Sequence, residues 1–308
     1  MRSFSERRRV YHTGRGTSRE IFARCDALTT VRRICFHDTI RPMNQVEIEN
    51  ALAGLPLGEI RYFDTIGSTN DYAMYWTQYG PSNLSIVIAD EQTAGRGRAG
   101  RRWLTPRGAA LAVSVILQPD QVEVGALSLV NGLGALAVSD ALACLGLSPA
   151  IKWPNDVLME GGKVAGVLPE SHWLGDRLLG VVLGIGVNVG RAALPPAGSV
   201  NFPAGCVEEA LGQPVVRVTL LREILSALVF WVGQLGTPIF LETWENRLAF
   251  RGERVQVIPP IGEPVEGQIA GLTSAGNLRL AIGKEEKVFS AGEIHLRAVF
   301  EDRPVFSS

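Results

Sequence analysis

Between Asp90 and Trp103 the chain reads DEQTAGRGRAGRRW, which sets Arg96, Arg98, Arg101 and Arg102 among Gly95, Gly97 and Gly100. Arginine offers a planar fork of N–H donors to phosphate or carboxylate. Glycine lets backbone approach a ligand closely or move over it. Such a loop can hold an anion; a solvated basic turn has the same composition, and charge alone does not separate the two. The glycines also satisfy G-x-G-x-x-G, but that dinucleotide fingerprint requires a helix to open behind it. Here Arg101-Arg102-Trp103-Leu104-Thr105-Pro106 follows, which opens none. A Walker loop is excluded because no Gly-Lys-Ser/Thr follows.

A second group is Lys152-Trp153-Pro154-Asn155-Asp156. Proline pushes the residue before it towards an extended shape, so this segment leaves its strand abruptly and puts Lys152, Asn155 and Asp156 near a strand end. Lys163 follows a Gly161-Gly162 turn, and Gly166 sits inside an apolar strand, where glycine marks a bulge, a close approach or plain packing. Asn188 closes Gly184-Ile185-Gly186-Val187-Asn188. Taken singly, each of these also reads as a turn, a solubility lysine or a buried amide.

The elements that must position these groups follow from periodicity. Helices are expected over residues 44–52, 70–79 with Ser68 as cap, 126–145, 219–235 and 238–247. Strands are expected over 60–63, 84–89, 109–117, 151–153, 157–159, 163–168 and 178–189. After Phe250 the pattern changes to short strands at 254–258, 265–272, 277–281, 287–290 and 295–299, spaced as in a small β-barrel. The fold class is α+β with an all-β C-terminal part. Residues 1–42 are expected to be a basic tail or a misplaced start ahead of Met43, 43–250 a large domain and 251–308 a small one.

The chain has 308 residues, a formal net charge of -1 and 46% hydrophobic residues, an ordinary globular balance. Residues 1–42 depart from it, with ten arginines against four acids. They show neither the apolar stretch of a secretory signal nor the helices of a helix-turn-helix. No apolar run reads as long enough to span a bilayer. Cys25, Cys35, Cys144 and Cys206 lack metal or redox spacing and are expected to be free thiols in a reducing cytoplasm.

Together, Ser68-Thr69-Asn70, the Asp90 to Trp103 loop, Lys152 to Asp156, Lys163 to Gly166, Gly184 to Val189 and Gly292 to Arg297 resemble the biotin–protein ligases, in that family's order, from about residue 58 to 299. The resemblance implies a mixed-sheet catalytic domain of the biotin/lipoate ligase type followed by an SH3-like β-barrel. It implies that Ser68, Thr69, Gln92, Gly95, Arg96 and Gly166 hold biotin. Arg96, Arg98, Trp103, Lys163, Asn188 and Arg297 would hold ATP, and Lys163, Arg98, Asp156 and Lys152 would surround the reaction centre. No protein-held metal ligands are assigned, although Mg²⁺ is expected with ATP. The expected partner is a biotin carboxyl carrier domain, with no membrane and no DNA, and a homodimer is left open.

The chemistry implied has two steps. The biotin carboxylate attacks the α-phosphate of ATP, releasing pyrophosphate, and a carrier lysine then attacks the resulting anhydride, releasing AMP. The first step joins two anions, so it needs fixed positive charge. The second needs an amine, with a reference pKa of ~10.4, to lose its proton, and Asp156 is the candidate to orient or deprotonate it. Two departures from the family stand out: Ala99 occupies a position where many members carry arginine, and the N-terminal segment lacks a winged helix-turn-helix, which argues against a repressor role. The alternatives are a lipoate–protein ligase, whose arginine motif is not found here, and a nucleic-acid-binding protein using the basic N-terminal arm.

Overall fold

A computed structural model describes residues 42–120, 122, 124–196, 198–200, 202–259, 262–290 and the backbone of 295–298. All of them lie within one compact unit, residues 36–308. The expectations for residues 1–41, including Cys25 and Cys35, lie outside the described residues.

The larger sheet has seven strands: β1 (Ile60–Ile66), β2 (Ser85–Gln92), β3 (Ala110–Leu117), β4 (Ala150–Lys152), β5 (Asp156–Met159), β6 (Gly162–Leu174) and β7 (Arg177–Asn188). Their order is β1-β2-β3-β7-β6-β5-β4. β1 and β2 run parallel and the other pairs antiparallel, so the sheet is mixed.

Alternation sorts the central strands into two faces. Leu111, Val113, Val115 and Leu117 of β3, Val181, Leu183, Ile185 and Val187 of β7, and Ala165 and Val167 of β6 enter the main core. They meet α3 (Val130–Cys144) and α5 (Arg217–Val232), with α1 (Gln45–Leu52) and α6 (Pro238–Asn246) in the same core. Gly134 of α3 leaves room for Val167 and Leu183, since a Cβ there would lie 2.7 Å from Val167 Cγ1. The opposite face carries α2 (Thr69–Trp76), whose Ala73 and Trp76 pack on Val87, Ile116 and Val182. α2 covers only part of that face, and the uncovered part is floored by small residues.

α3 corrects one expectation. With the 3-10 turn before it, Ala126–Cys144 is 19 residues long with mean hydropathy 1.5, long and apolar enough to cross a membrane. However, 78% of that stretch is buried inside the protein, so it reads as a core helix, apolar all round because it is packed all round. Two other features were not read from the sequence: the short helix α4 (Val207–Leu211), and the length of β6, which runs on to Leu174.

The second sheet is antiparallel and contains β8 (Arg254–Ile258), β9 (Val265–Leu272), β10 (Leu278–Ile282), β11 (Glu285–Phe289) and β12 (His295–Ala298), in the order β11-β10-β9-β8-β12. The β9–β10 turn packs closely against the part of the chain that carries the larger sheet. Trp153 Nε1 donates to Gly276 O at 2.8 Å and Ser128 Oγ to Ala275 O at 2.6 Å. Fold class is therefore α+β, as expected.

Candidate active site

The uncovered face of the large sheet forms the floor of a cleft of about 710 Å³. Ala112, Gly184, Gly186, Gly166 and Leu168 line it from below, and Ser68, Thr69, Gln92, Arg96, Arg98, Trp103, Lys152, Asp156, Lys163 and Asn188 line it around the sides. Eleven of the expected site residues thus meet in one place, Gly166 among them. Gly95 does not line the cleft, and the expectation for the Arg297 side chain lies outside what is described; its backbone, in β12, pairs with Gln256 of β8.

One end of the cleft is polar and uncharged. Ser68 caps α2 by accepting from Asp71 N. Gln92 Oε1 accepts from Thr69 N at 2.8 Å and lies 3.1 Å from Thr69 Oγ1, while Gln92 Nε2 donates to Thr105 Oγ1 at 2.9 Å. Ser114 Oγ touches Thr69 Oγ1 at 2.8 Å and Asn70 Oδ1 at 2.6 Å. Buried hydroxyls and carboxamides with fixed orientations suit a neutral polar ring, whose own donors and acceptors must be matched.

The arginine loop folds back on itself as an irregular hairpin. Gln92 N donates to Thr105 O, Trp103 N to Gly95 O and Gly97 N to Arg101 O. At its tip Ala99 and Gly100 both have positive φ, 54° and 71°. Gly95 is required where the two arms cross, because a Cβ there would sit 2.5 Å from Trp103 O. This accounts for a G-x-G-x-x-G pattern without a dinucleotide turn.

Trp103 brings the loop down onto the floor. A Cβ on Gly186 would lie 2.3 Å from its Nε1, and one on Gly166 would lie 3.2 Å from its Cζ3. These two glycines face each other across β6 and β7, so together they form a flat seat for the indole. Trp103 Nε1 is buried without a hydrogen-bond partner.

The other end is charged. Lys163 Nζ lies 2.6 Å from Asp156 Oδ1, and their side chains are 25% and 16% exposed. It also stands 5.3 Å above the Trp103 ring, and Gly166 leaves the space its chain folds into. Arg98 Nη1 donates to Asn155 Oδ1 at 2.9 Å, and Asn155 Nδ2 donates to Val167 O at 2.8 Å. Burial lowers the Arg98 pKa from its ordinary value, with Asp156 opposing and Arg101 adding to the effect. Lys152 Nζ lies 4.2 Å from the Phe202 ring centre. Asn188 donates to Gly205 O at 3.1 Å and to Lys163 O at 3.4 Å, so its amide holds the strand that carries Lys163.

Arg96 is held by two carboxylates that sequence reading did not assign. Its Nη1 and Nη2 donate to Glu170 Oε1 and Oε2 at 2.8 and 2.7 Å, and Nη2 also donates to Asp71 Oδ1 at 2.6 Å. The Glu170 hydrogen bonds raise the Arg96 pKa, against a smaller opposing effect of burial. Phe202, Asn155 and Asn70 are further cleft residues outside the expected set. Asn155 and Asn70 lay within quoted motifs; nothing in the sequence singled out Phe202, Asp71 or Glu170.

A sheet face that joins a neutral polar pocket to a cluster of cations suits the activation of a carboxylic acid, the chemistry of ligases of the biotin/lipoate type. Profile comparison agrees: the Biotin/lipoate A/B protein ligase family matches residues 62–188, and the Biotin protein ligase C terminal domain matches residues 251–297. The chain is 37% identical over 225 residues to a biotin–[acetyl-CoA-carboxylase] ligase of Paracoccus denitrificans, covering 70% of this chain and 91% of that one. It is 34% identical over 272 residues to the Mycobacterium tuberculosis ligase of the same name, covering 84% and 98%. The structure of the Aquifex aeolicus biotin protein ligase in complex with biotin and ATP superposes with a TM-score of 0.67 at 27% identity, covering 78% of this chain and 99% of that one. The chain belongs to the biotin protein ligase family and is an ATP-dependent ligase of that kind.

Proposed function

We propose that the cleft makes biotinyl-5'-AMP at the charged end and transfers biotin from it to a lysine of a biotin carboxyl carrier domain, that of acetyl-CoA carboxylase. The observation that carries this reading is the Lys163 ammonium, fixed 2.6 Å from Asp156 on the same floor as the Thr69–Gln92 pocket. Thr69, Gln92 and Ser68 hold the neutral ureido ring, and the biotin chain runs from there towards Lys163, past the Trp103 ring seated on Gly166 and Gly186. Its carboxylate then arrives beside Lys163 and Arg98. These cations offset the repulsion between carboxylate and α-phosphate and orient the two, which is the main contribution open to a protein that forms no covalent bond itself.

In the second step Asp156 orients the incoming ammonium and accepts its proton. The arginine loop excludes water from the anhydride meanwhile. Lys152, Asn188 and Phe202 flank the nucleotide. Among the described residues no three His, Cys, Asp or Glu side chains cluster as metal ligands. Asp156 and Glu170 are already paired with cations. The residues present do not fit a metal held by the protein, so Mg²⁺ enters with ATP as part of the substrate. Residues 43–250 are the catalytic domain and 251–308 the small C-terminal one. Neither Cys144 nor Cys206 is in a disulfide, which suits a reducing cytoplasm.

The test is biotin-dependent exchange of labelled pyrophosphate into ATP, with lipoate as control. Exchange with biotin alone is expected, and Lys163→Ala should abolish it while biotin binding by calorimetry persists. Exchange at near wild-type rate in Lys163→Ala would end this assignment.

A further inference from the structure

Arg96 is the root of the arginine loop, and its guanidinium, at the side of the cleft, is engaged by carboxylates. Both Nη atoms are engaged by Glu170, and Nη2 is shared with Asp71. That leaves Nε–H and one Nη1–H for any other acceptor. Glu170 is not free to follow a moving arginine. Its Oε2 accepts from Asn70 Nδ2 at 2.8 Å, and Asn70 also donates to Leu168 O at 3.1 Å. Asn70 is only 4% exposed and fills the space above Gly184, where a Cβ would lie 2.3 Å from its Oδ1. A rigid chain therefore runs from the sheet floor through Asn70 and Glu170 to Arg96.

We propose that Glu170, fixed by Asn70, is a positioning residue that sets the orientation of Arg96 and so anchors the near end of the loop. The far end, around Arg98, then closes over the ligand from a fixed root. The pairing also compensates the Arg96 charge, so Arg96 acts as an oriented donor rather than a mobile cation. The bidentate geometry matters here, because it fixes the guanidinium plane as a single contact would not. This inference rests on the ligase reading of the same cleft.

The experiment compares Glu170→Ala, Glu170→Gln, Arg96→Ala and the Glu170→Ala/Arg96→Ala double variant. Biotin affinity is measured by calorimetry, escape of biotinyl-adenylate by its release rate, and stability by thermal melting. Glu170→Ala is expected to weaken biotin and speed escape about fivefold, the range for a partly exposed pair, with Glu170→Gln intermediate because one acceptor remains. In the Arg96→Ala background the Glu170 change should add nothing. Independent, additive effects would overturn the proposal. So would unchanged affinity and release with a lowered melting temperature, or tighter binding in Glu170→Ala, which would make the carboxylate a competitor of the substrate anion. Biotin-dependent exchange by the wild type separates these outcomes from failure of the ligase reading itself.

Discussion

Gly186→Ala tests whether the floor of the cleft is shaped for Trp103. Gly186 has no positive φ, so alanine accepts its backbone and strand pairing should survive. The added Cβ, however, would lie 2.3 Å from Trp103 Nε1 and 2.4 Å from Cε2, where ordinary contacts begin at 3.4 Å. The ring must lift by about 1 Å, and overpacking of this kind costs about 1–3 kcal/mol. The loop keeps its own hairpin hydrogen bonds and the Arg96 and Arg98 side-chain contacts, so that penalty should fall on the seated ring rather than on the fold. One to three kcal/mol corresponds to about five- to 140-fold in the seating equilibrium. The KM for biotin in pyrophosphate exchange should rise within that range, with little change in melting temperature. Adding Trp103→Ala removes the clashing ring, so the double variant should match Trp103→Ala alone. An unchanged KM in Gly186→Ala, or penalties that add in the double variant, would refute the reasoning.

Arg98→Ser should release biotinyl-adenylate about tenfold faster, since it removes a charge-assisted hydrogen bond to Asn155; biotin found on off-target proteins by streptavidin blotting would report it, and unchanged retention would count against it. Asp90→Ala should destabilise the fold by about 3–5 kcal/mol in urea titration, because it removes the fully buried carboxylate 2.7 Å from Arg217, itself 4% exposed, and leaves that buried charge uncompensated by it. Burial, the largest cause, pushes the Cys206 thiol up to about 11. The folded state therefore holds this proton more tightly than the unfolded chain, and the associated stability is lost as pH rises from about 8.5, the ordinary thiol value, towards about 11. At pH 8 the native protein should leave Cys206 unalkylated by iodoacetamide in peptide maps, and rapid labelling would contradict that.

Much of this molecule was legible in the chain. Ser68 followed by an apolar helical run announces a capped helix, and Ser68 does cap α2. The Gly161-Gly162 pair announces a hairpin, and one forms, but its turn lies one residue earlier: Glu160 and Gly161 take φ of 48° and 81°, while Gly162 opens β6 opposite Met159. The unbroken apolar character of residues 126–145 announces a helix packed on every side. Such signals are local: they depend on φ preferences, caps and periodicity within a few residues. The motif residues were readable for the same reason, because loop and turn chemistry needs particular residue types at fixed spacing.

What the chain could not show was which face of the sheet would be open. Alternation reveals a buried face only when the other face is polar. In β3 and β7 both faces are apolar or small: Leu183 and Ile185 enter the core, while Gly184 and Gly186 floor the cleft. Only the packing of α2 over part of one face decides this. Likewise Glu170 looks like an ordinary strand-end acid until the fold brings it to Arg96, 74 residues earlier, and Asn155 looks like a turn amide until Arg98 reaches it from 57 residues away. Residue types and short spacings are written in the sequence. Partnerships between distant side chains depend on how sheet and helices stack, and that is set by the burial of the whole core rather than by any one segment.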